Sequence, residues 1–218
     1  GMISFTKAWQ EFEAIPATLQ EEKNLEKFVQ VENTSASNTD EKTFLSMLEK
    51  FPVLQIASHA VANDSSAPFV VLQQKFYLSQ MQYLSTNTSL VVLSSCESGA
   101  GKLLGNEGLM SLSRGFLSKG VTGVVSSRWN VEDAMVPGYM ESFYGALSQG
   151  EDPGSALLKA RKIYLAKSKS LAEKNPLLWA GFFYNGTEQR FIFHTLISLY
   201  GYLAAGFVFL FLVFVIIR

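Results

Sequence analysis

The chain has 218 residues, enough for one substantial domain or a domain with an appendage. Its formal net charge of -1, from 18 basic and 19 acidic side chains, provides no clustered lysine and arginine surface, which argues against a nucleic-acid partner. One cysteine, Cys96, excludes an internal disulfide framework and a thiolate metal site, and two histidines, His59 and His194, exclude a multi-histidine one.

In chain order, the first fifty residues read as polar and helical: KAWQEFEAIPATLQ, then a short strand near KFVQV and the turn-rich NTSASNTD. Gly1-Met2 reads as an expression scar or as the cut end of a longer protein. Thr39 or Asp40 is placed to cap a helix over TDEKTFLSMLEKF, whose acidic residues lie in the first turn where the helix dipole favours them. VLQIA is a short apolar run consistent with a buried strand ending at Ser58-His59-Ala60. VANDSSAP is a loop by composition, and a helical LSQMQYL leads into a second buried strand, LVVLSS, which runs into Cys96.

Beyond a glycine-rich turn, EGLMSLSRGFLSKG has helical spacing and closes on Gly120. A third apolar run, VTGVVSS, leads to RWNVED. Two helices follow, AMVPGYMESFYGALSQG and PGSALLKARKIYLAKS, the second opening on Pro153. WAGFFYNG reads as a last strand. Strands alternating with helices predict a largely parallel sheet with helices on both faces. In such sheets ligands and catalysis collect at the carboxyl ends of the strands, which is where His59, Cys96 and Arg128-Trp129 fall.

From Phe191 to Ile217 the chain is apolar, with one histidine near its start and no other charged side chain. A membrane-crossing helix needs roughly 20 apolar residues. A transmembrane helix is therefore expected over residues 191–217, a single-pass C-terminal anchor holding the preceding domain on the cytoplasmic face. Arg190 and Arg218 flank it almost symmetrically, so charge gives little orientation. The cations of KARKIYLAKSK form a solvated helix face or lean on anionic lipid.

Two motif readings fail around Cys96. A phosphate-binding loop needs a glycine five residues before its GK pair and a hydroxyl after it; those positions hold Cys96 and Leu103. A serine hydrolase elbow needs a glycine two positions before Ser98, which is again Cys96. Two readings stay open on residue chemistry alone. Cys96 is a small core residue at a strand end, or it is a nucleophile whose thiol proton an imidazole accepts.

The ordered blocks QIASHA, LVVLSSCESGAG, NEGLMSLSRGFLSKGVTGVVSSRWNVED, FYGALSQGEDPGSALLKARKIYL and LWAGFFYNG resemble the CHAT domain, the caspase-like domain associated with TPR repeats, from about Lys7 to Gly186. The resemblance implies a place in the caspase, separase and gingipain superfamily of cysteine peptidases and a caspase-like three-layer α/β/α sandwich over residues 1–188. It implies His59 and Cys96 as a catalytic dyad, with the backbone N–H groups of Ala60 and Cys96 as the oxyanion hole. Ser127, Arg128, Trp129 and Asp133 are the implied substrate-binding candidates, although Trp129 also suits core packing and Asp133 a helix cap. The family pattern often has glycine where this chain has Ala60. No metal or organic cofactor is required. The expected function is a membrane-anchored cysteine endopeptidase acting on a protein or peptide, with upstream TPR repeats or a regulatory protein as implied partners. The alternative is a catalytically inactive CHAT-like scaffold that binds protein partners at the membrane.

Overall fold

A computed structural model describes residues 1–7, 12–63, 66–81, 86–94, 107–129 and 131–191. Its main sheet comprises β1 (Met2–Ser4), β2 (Asn33–Ser35), β3 (Val53–Ala57), β7 (Leu90–Leu93), β8 (Gly123–Ser127) and β9 (Phe182–Gly186), in the order β2-β1-β3-β7-β8-β9. All pairs are parallel except β8 with β9. A second, antiparallel sheet of β4 (Ala60–Asn63), β5 (Ser66–Val71) and β6 (Lys75–Tyr77) starts directly after His59.

Side chains alternate across a strand, and here both faces of the main sheet are covered. Ile3, Leu54, Ile56, Val91 and Val124 join a core with Phe44, Met47 and Leu48 of α2 (Glu41–Lys50) and Leu112 and Phe116 of α3 (Glu107–Leu117). Met2, Ala57, Leu90, Val92 and Val125 face the opposite core. That core is built with Leu25 of α1 (Ala17–Leu25), with α4 (Val136–Leu147) and with α5 (Pro153–Lys167). Burial on both faces explains the near-continuous apolar runs of β3, β7 and β8. Helix α4 is covered on most sides and buries Tyr139, Met140, Phe143 and Tyr144, each side chain contributing roughly 1.5–3 kcal/mol of transfer free energy.

Local chemistry sets the boundaries. Asp40 caps α2, its Oδ1 accepting the Thr43 N–H at 2.8 Å, and Asp152 caps α5 by accepting from Gly154 and Ser155 at 2.9 and 3.1 Å. Gly120 takes φ +95° where the chain leaves α3, a conformation that costs an L side chain strain. Trp179 of the short α6 (Pro176–Trp179) packs at the edge of the second core.

Several expectations change. The strand expected near KFVQV lies later, at β2, and the first residues form β1, fully buried between β2 and β3. VANDSSAP, expected as a loop, supplies β4 and much of β5. The expected fold class carried a C-terminal transmembrane helix, and this is corrected: among the described residues no helix is long and apolar enough to cross a membrane. The longest described helix, α5, has 15 residues and carries lysine and arginine, short of the roughly 20 apolar residues a span requires. The expected localisation through a single-pass C-terminal anchor loses its support with it. Of the segment 191–217, Phe191 packs against the second core, and residues 192–218 lie outside the described residues. What stands is a mixed α/β fold with a largely parallel sheet.

Candidate functional site

The site is assembled where β3 and β7 end. His59 follows β3 by two residues and is 1% exposed. Its ring meets Phe5 edge-on at 4.7 Å between centroids and Phe12 at 5.2 Å. Its Nε2 lies 2.7 Å from the backbone carbonyl oxygen of Glu13. A carbonyl only accepts, so Nε2 carries the proton and, in the neutral ring, Nδ1 carries the lone pair. The second sheet fixes the backbone around the ring: Val71 N–H donates to the His59 carbonyl at 2.8 Å, and Ser58 Oγ donates to the Val71 carbonyl at 2.5 Å.

Ala60 opens β4 opposite Val70. The bond from Val71 N–H to the His59 carbonyl brackets that pair, which makes Ala60 and Val70 a non-hydrogen-bonded pair of the antiparallel ladder. The Ala60 N–H therefore points away from β5, toward the outer edge of the three-stranded sheet. On the neighbouring strand, Ser94 extends β7 by one residue, its N–H donating to the Ile56 carbonyl at 3.3 Å. Cys96, two residues on, lies outside the described residues, as does its backbone N–H.

The other expected site residues separate. Partial burial raises the Asp133 carboxyl above its usual range, and His59, within electrostatic reach, draws it back. Ser127 is buried and paired with Phe182 of β9. Arg128 is exposed, with its guanidinium over the Phe183 ring at 5.3 Å. Trp129 donates from Nε1 to the Leu177 carbonyl at 2.8 Å and packs beside Gly181, where an added Cβ would meet the indole at 3.2 Å. Asp133 is thus within electrostatic reach of His59, while Ser127, Arg128 and Trp129 engage β9 and α6.

Sequence reasoning missed a buried polar cluster beneath these strand ends. Glu21 of α1 has no exposed surface, and burial pushes its carboxyl up to about 8, with the nearby Ser94 hydroxyl pulling down and the Asp133 charge adding to the rise. Glu21 Oε2 accepts from Gln55 Nε2 of β3, which also reaches Ser94 Oγ at 3.3 Å. Tyr144 lies alongside: burial holds its hydroxyl well above the usual range, and the Glu21 charge adds to that. The only sequence signal for this cluster was a glutamine inside an apolar strand. Among the described residues no group of three or more His, Cys, Asp or Glu is placed to hold a metal ion.

Comparison with known proteins agrees with the resemblance seen in the motifs. The CHAT domain family matches residues 5–187. Tetratricopeptide repeat protein 28 of Mus musculus is 32% identical over 107 residues, 49% of this chain, and the Homo sapiens protein of the same name is similar to the same extent. The chain spans 4% of the length of these relatives. The family match takes in both strand ends, His59, Cys96 and the segment through Asp133, and on it the chain belongs to the CHAT domain family, within the caspase-like cysteine peptidase superfamily.

Proposed function

We propose that the chain is a cysteine endopeptidase in which His59 and Cys96 form the catalytic dyad. The observation that carries this reading is the hydrogen bond from His59 Nε2 to the Glu13 carbonyl, which commits one ring nitrogen to the protein and makes Nδ1 the basic one. In the proposed cycle Nδ1 takes the thiol proton of Cys96, and the thiolate attacks the scissile carbonyl carbon. The oxyanion is held by the N–H groups of Ala60 and Cys96; the outward direction of the Ala60 N–H supports that role. The imidazolium returns its proton to the leaving amine, and water, deprotonated by the same nitrogen, hydrolyses the thioester.

A second reading has a specific observation in its favour. A ring 1% exposed between Phe5 and Phe12 also suits a structural histidine, and a scaffold that binds protein partners would need no more. Its likeness to TPR-containing relatives makes TPR-associated protein interactions a reasonable setting for either reading. Incubation with a mixed peptide library, followed by intact-mass measurement, separates them. The peptidase reading predicts cleavage products with the native chain, none with Cys96→Ala, and an acyl adduct on Cys96. Equal products from both proteins, or none from either, favour the scaffold.

A further inference from the structure

A buried amide joins the two strands that lead to His59 and Cys96. Leu54 and Ile56 on either side of Gln55 face the first core, as does Leu93 before Ser94, so Gln55 and Ser94 face the second, under α1. There Gln55 Nε2 donates to Glu21 Oε2 of α1 and to Ser94 Oγ at 3.3 Å. One side chain thus ties α1 to β3 and β7. Gln55 stands four residues before His59, and Ser94 two before Cys96. The ladder between these strands is near its end: Val53 to Ile56 pair with Leu90 to Leu93, and beyond them Ser94 N–H donates to the Ile56 carbonyl at 3.3 Å. Stability alone does not favour this arrangement. Glu21, Gln55 and Ser94 are all buried, and Glu21 Oε1, Gln55 Oε1 and the nearby Tyr144 hydroxyl have no hydrogen-bond partner among the described residues. Leucine at 21 and 55 would fill similar space without stranding a polar atom of either side chain. Polar groups kept in a core against such a cost mark a place where function constrains the sequence.

We propose that Gln55 and Glu21 are positioning residues for the dyad: they hold Ser94, and with it the end of β7 that leads to Cys96, against the strand that leads to His59. The inference rests on the peptidase reading and adds to it the residues that keep its two partners in register. Neither residue acts on the substrate; both act through Ser94. A hydrogen bond suits this task because it has a preferred direction and length, whereas apolar packing constrains a strand end only by volume. Glu21 in turn fixes the Gln55 amide from the helix side, so the seating of α1 on the sheet is transmitted to the last residues of β7. Burial keeps the Glu21 carboxyl protonated near neutral pH, which makes glutamine its neutral stand-in at position 21.

The test sets thiol reactivity against stability. Iodoacetamide labelling of Cys96 is followed from pH 5 to 9 in the native chain, Glu21→Gln, the double variant Glu21→Leu with Gln55→Leu, and His59→Ala, and the urea midpoint of each is measured at pH 8. At pH 6.5 Glu21→Gln should label within about twofold of the native rate, as expected where the same hydrogen bond is kept. The double variant should label at least fivefold more slowly, its profile displaced toward the ordinary thiol pKa of about 8.5, while its urea midpoint is no lower than the native one. Reactivity and stability then move apart, which a merely structural role does not produce. A double variant that labels with the native rate and profile, or that is slow and also destabilised, overturns the positioning role, as does a Glu21→Gln slowed as much as the double variant. If the double variant fails to fold, Ser94→Ala, which removes one oxygen and cuts the strand end from Gln55, is read by the same two criteria. The comparison with His59→Ala keeps the two proposals apart. If native labelling depends on His59 but not on Gln55 and Glu21, the dyad stands and the positioning role falls; if it is indifferent to His59, both fall.

Discussion

At the scale of single residues, the site joins two ionisable groups in unlike settings. His59 is oriented by one hydrogen bond and two aromatic rings, whereas Glu21 is a carboxyl taken wholly out of water. The second setting has a measurable consequence for stability. Burial favours the protonated form, so the folded-state pKa of about 8 lies above the ordinary value of 4.5. Below pH 4.5 both folded and unfolded chains hold the proton, and the fold loses nothing. As pH rises from 4.5 toward 8 the unfolded chain ionises while the folded one does not, so stability from this group falls across that window. Chemical denaturation followed from pH 4.5 to 8 should show this decline in the native chain. Glu21→Gln should remove most of the slope and be the more stable of the two at pH 8. A parallel decline in both proteins would assign the slope to other groups. Glu21 was not legible in the sequence because α1 reads ATLQEEKNL. Its neighbour Glu22 bonds to Asn33 nearer the surface, and which of two adjacent glutamates turns inward is decided by how the helix seats on the sheet.

Among the elements, those that could be read in advance are the ones whose neighbours cover them completely. VLQIA, LVVL and GVVSS declare themselves as runs of apolar or small residues because parallel strands buried on both faces have no polar side to show. β1 has only three residues, too few for any period, although it is a fully buried inner strand. The β4–β5 hairpin was hidden by its own turn chemistry, since Asn, Asp, Ser and Pro dominate the quoted stretch whatever its pairing. The cap of α2 was more transparent, Asp40 standing just before its first turn and accepting the Thr43 N–H, and the same chemistry recurs at α5. Asp152 satisfies two N–H groups at the start of α5, and those bonds hold its carboxyl below the usual range. Asp152→Ala should cost about 1 kcal/mol, lowering Tm by roughly 2–4 °C for a chain of this size. Asp152→Asn should recover most of the loss. An unchanged Tm in the alanine variant would mean that α5 is held by its packing alone. At the far edge, an added Cβ on Gly186 would collide with the Thr122 carbonyl and the Gly123 backbone, so the β8–β9 pairing depends on a glycine there.

For the whole molecule, a parallel sheet with helices on both faces brings residues distant in sequence to one rim. The order β1-β3-β7-β8 sets side by side the exits that carry His59, lead toward Cys96 and lead toward Asp133. That convergence follows from strand direction, which is why the rule about carboxyl ends singled out His59, Cys96 and Arg128-Trp129 from sequence. At the end of β8, Ser127 and Arg128 lie against the antiparallel β9, and Trp129 bonds to α6. The central claim is that His59 activates Cys96. As Cys96 is the only cysteine, alkylation of the folded chain by iodoacetamide reads this residue and no other. Measured from pH 5 to 9, labelling of the native chain should be at least tenfold faster than that of His59→Ala at pH 6.5, with the variant rising only near the ordinary thiol pKa of about 8.5. Superimposable pH profiles for the two proteins would contradict the account.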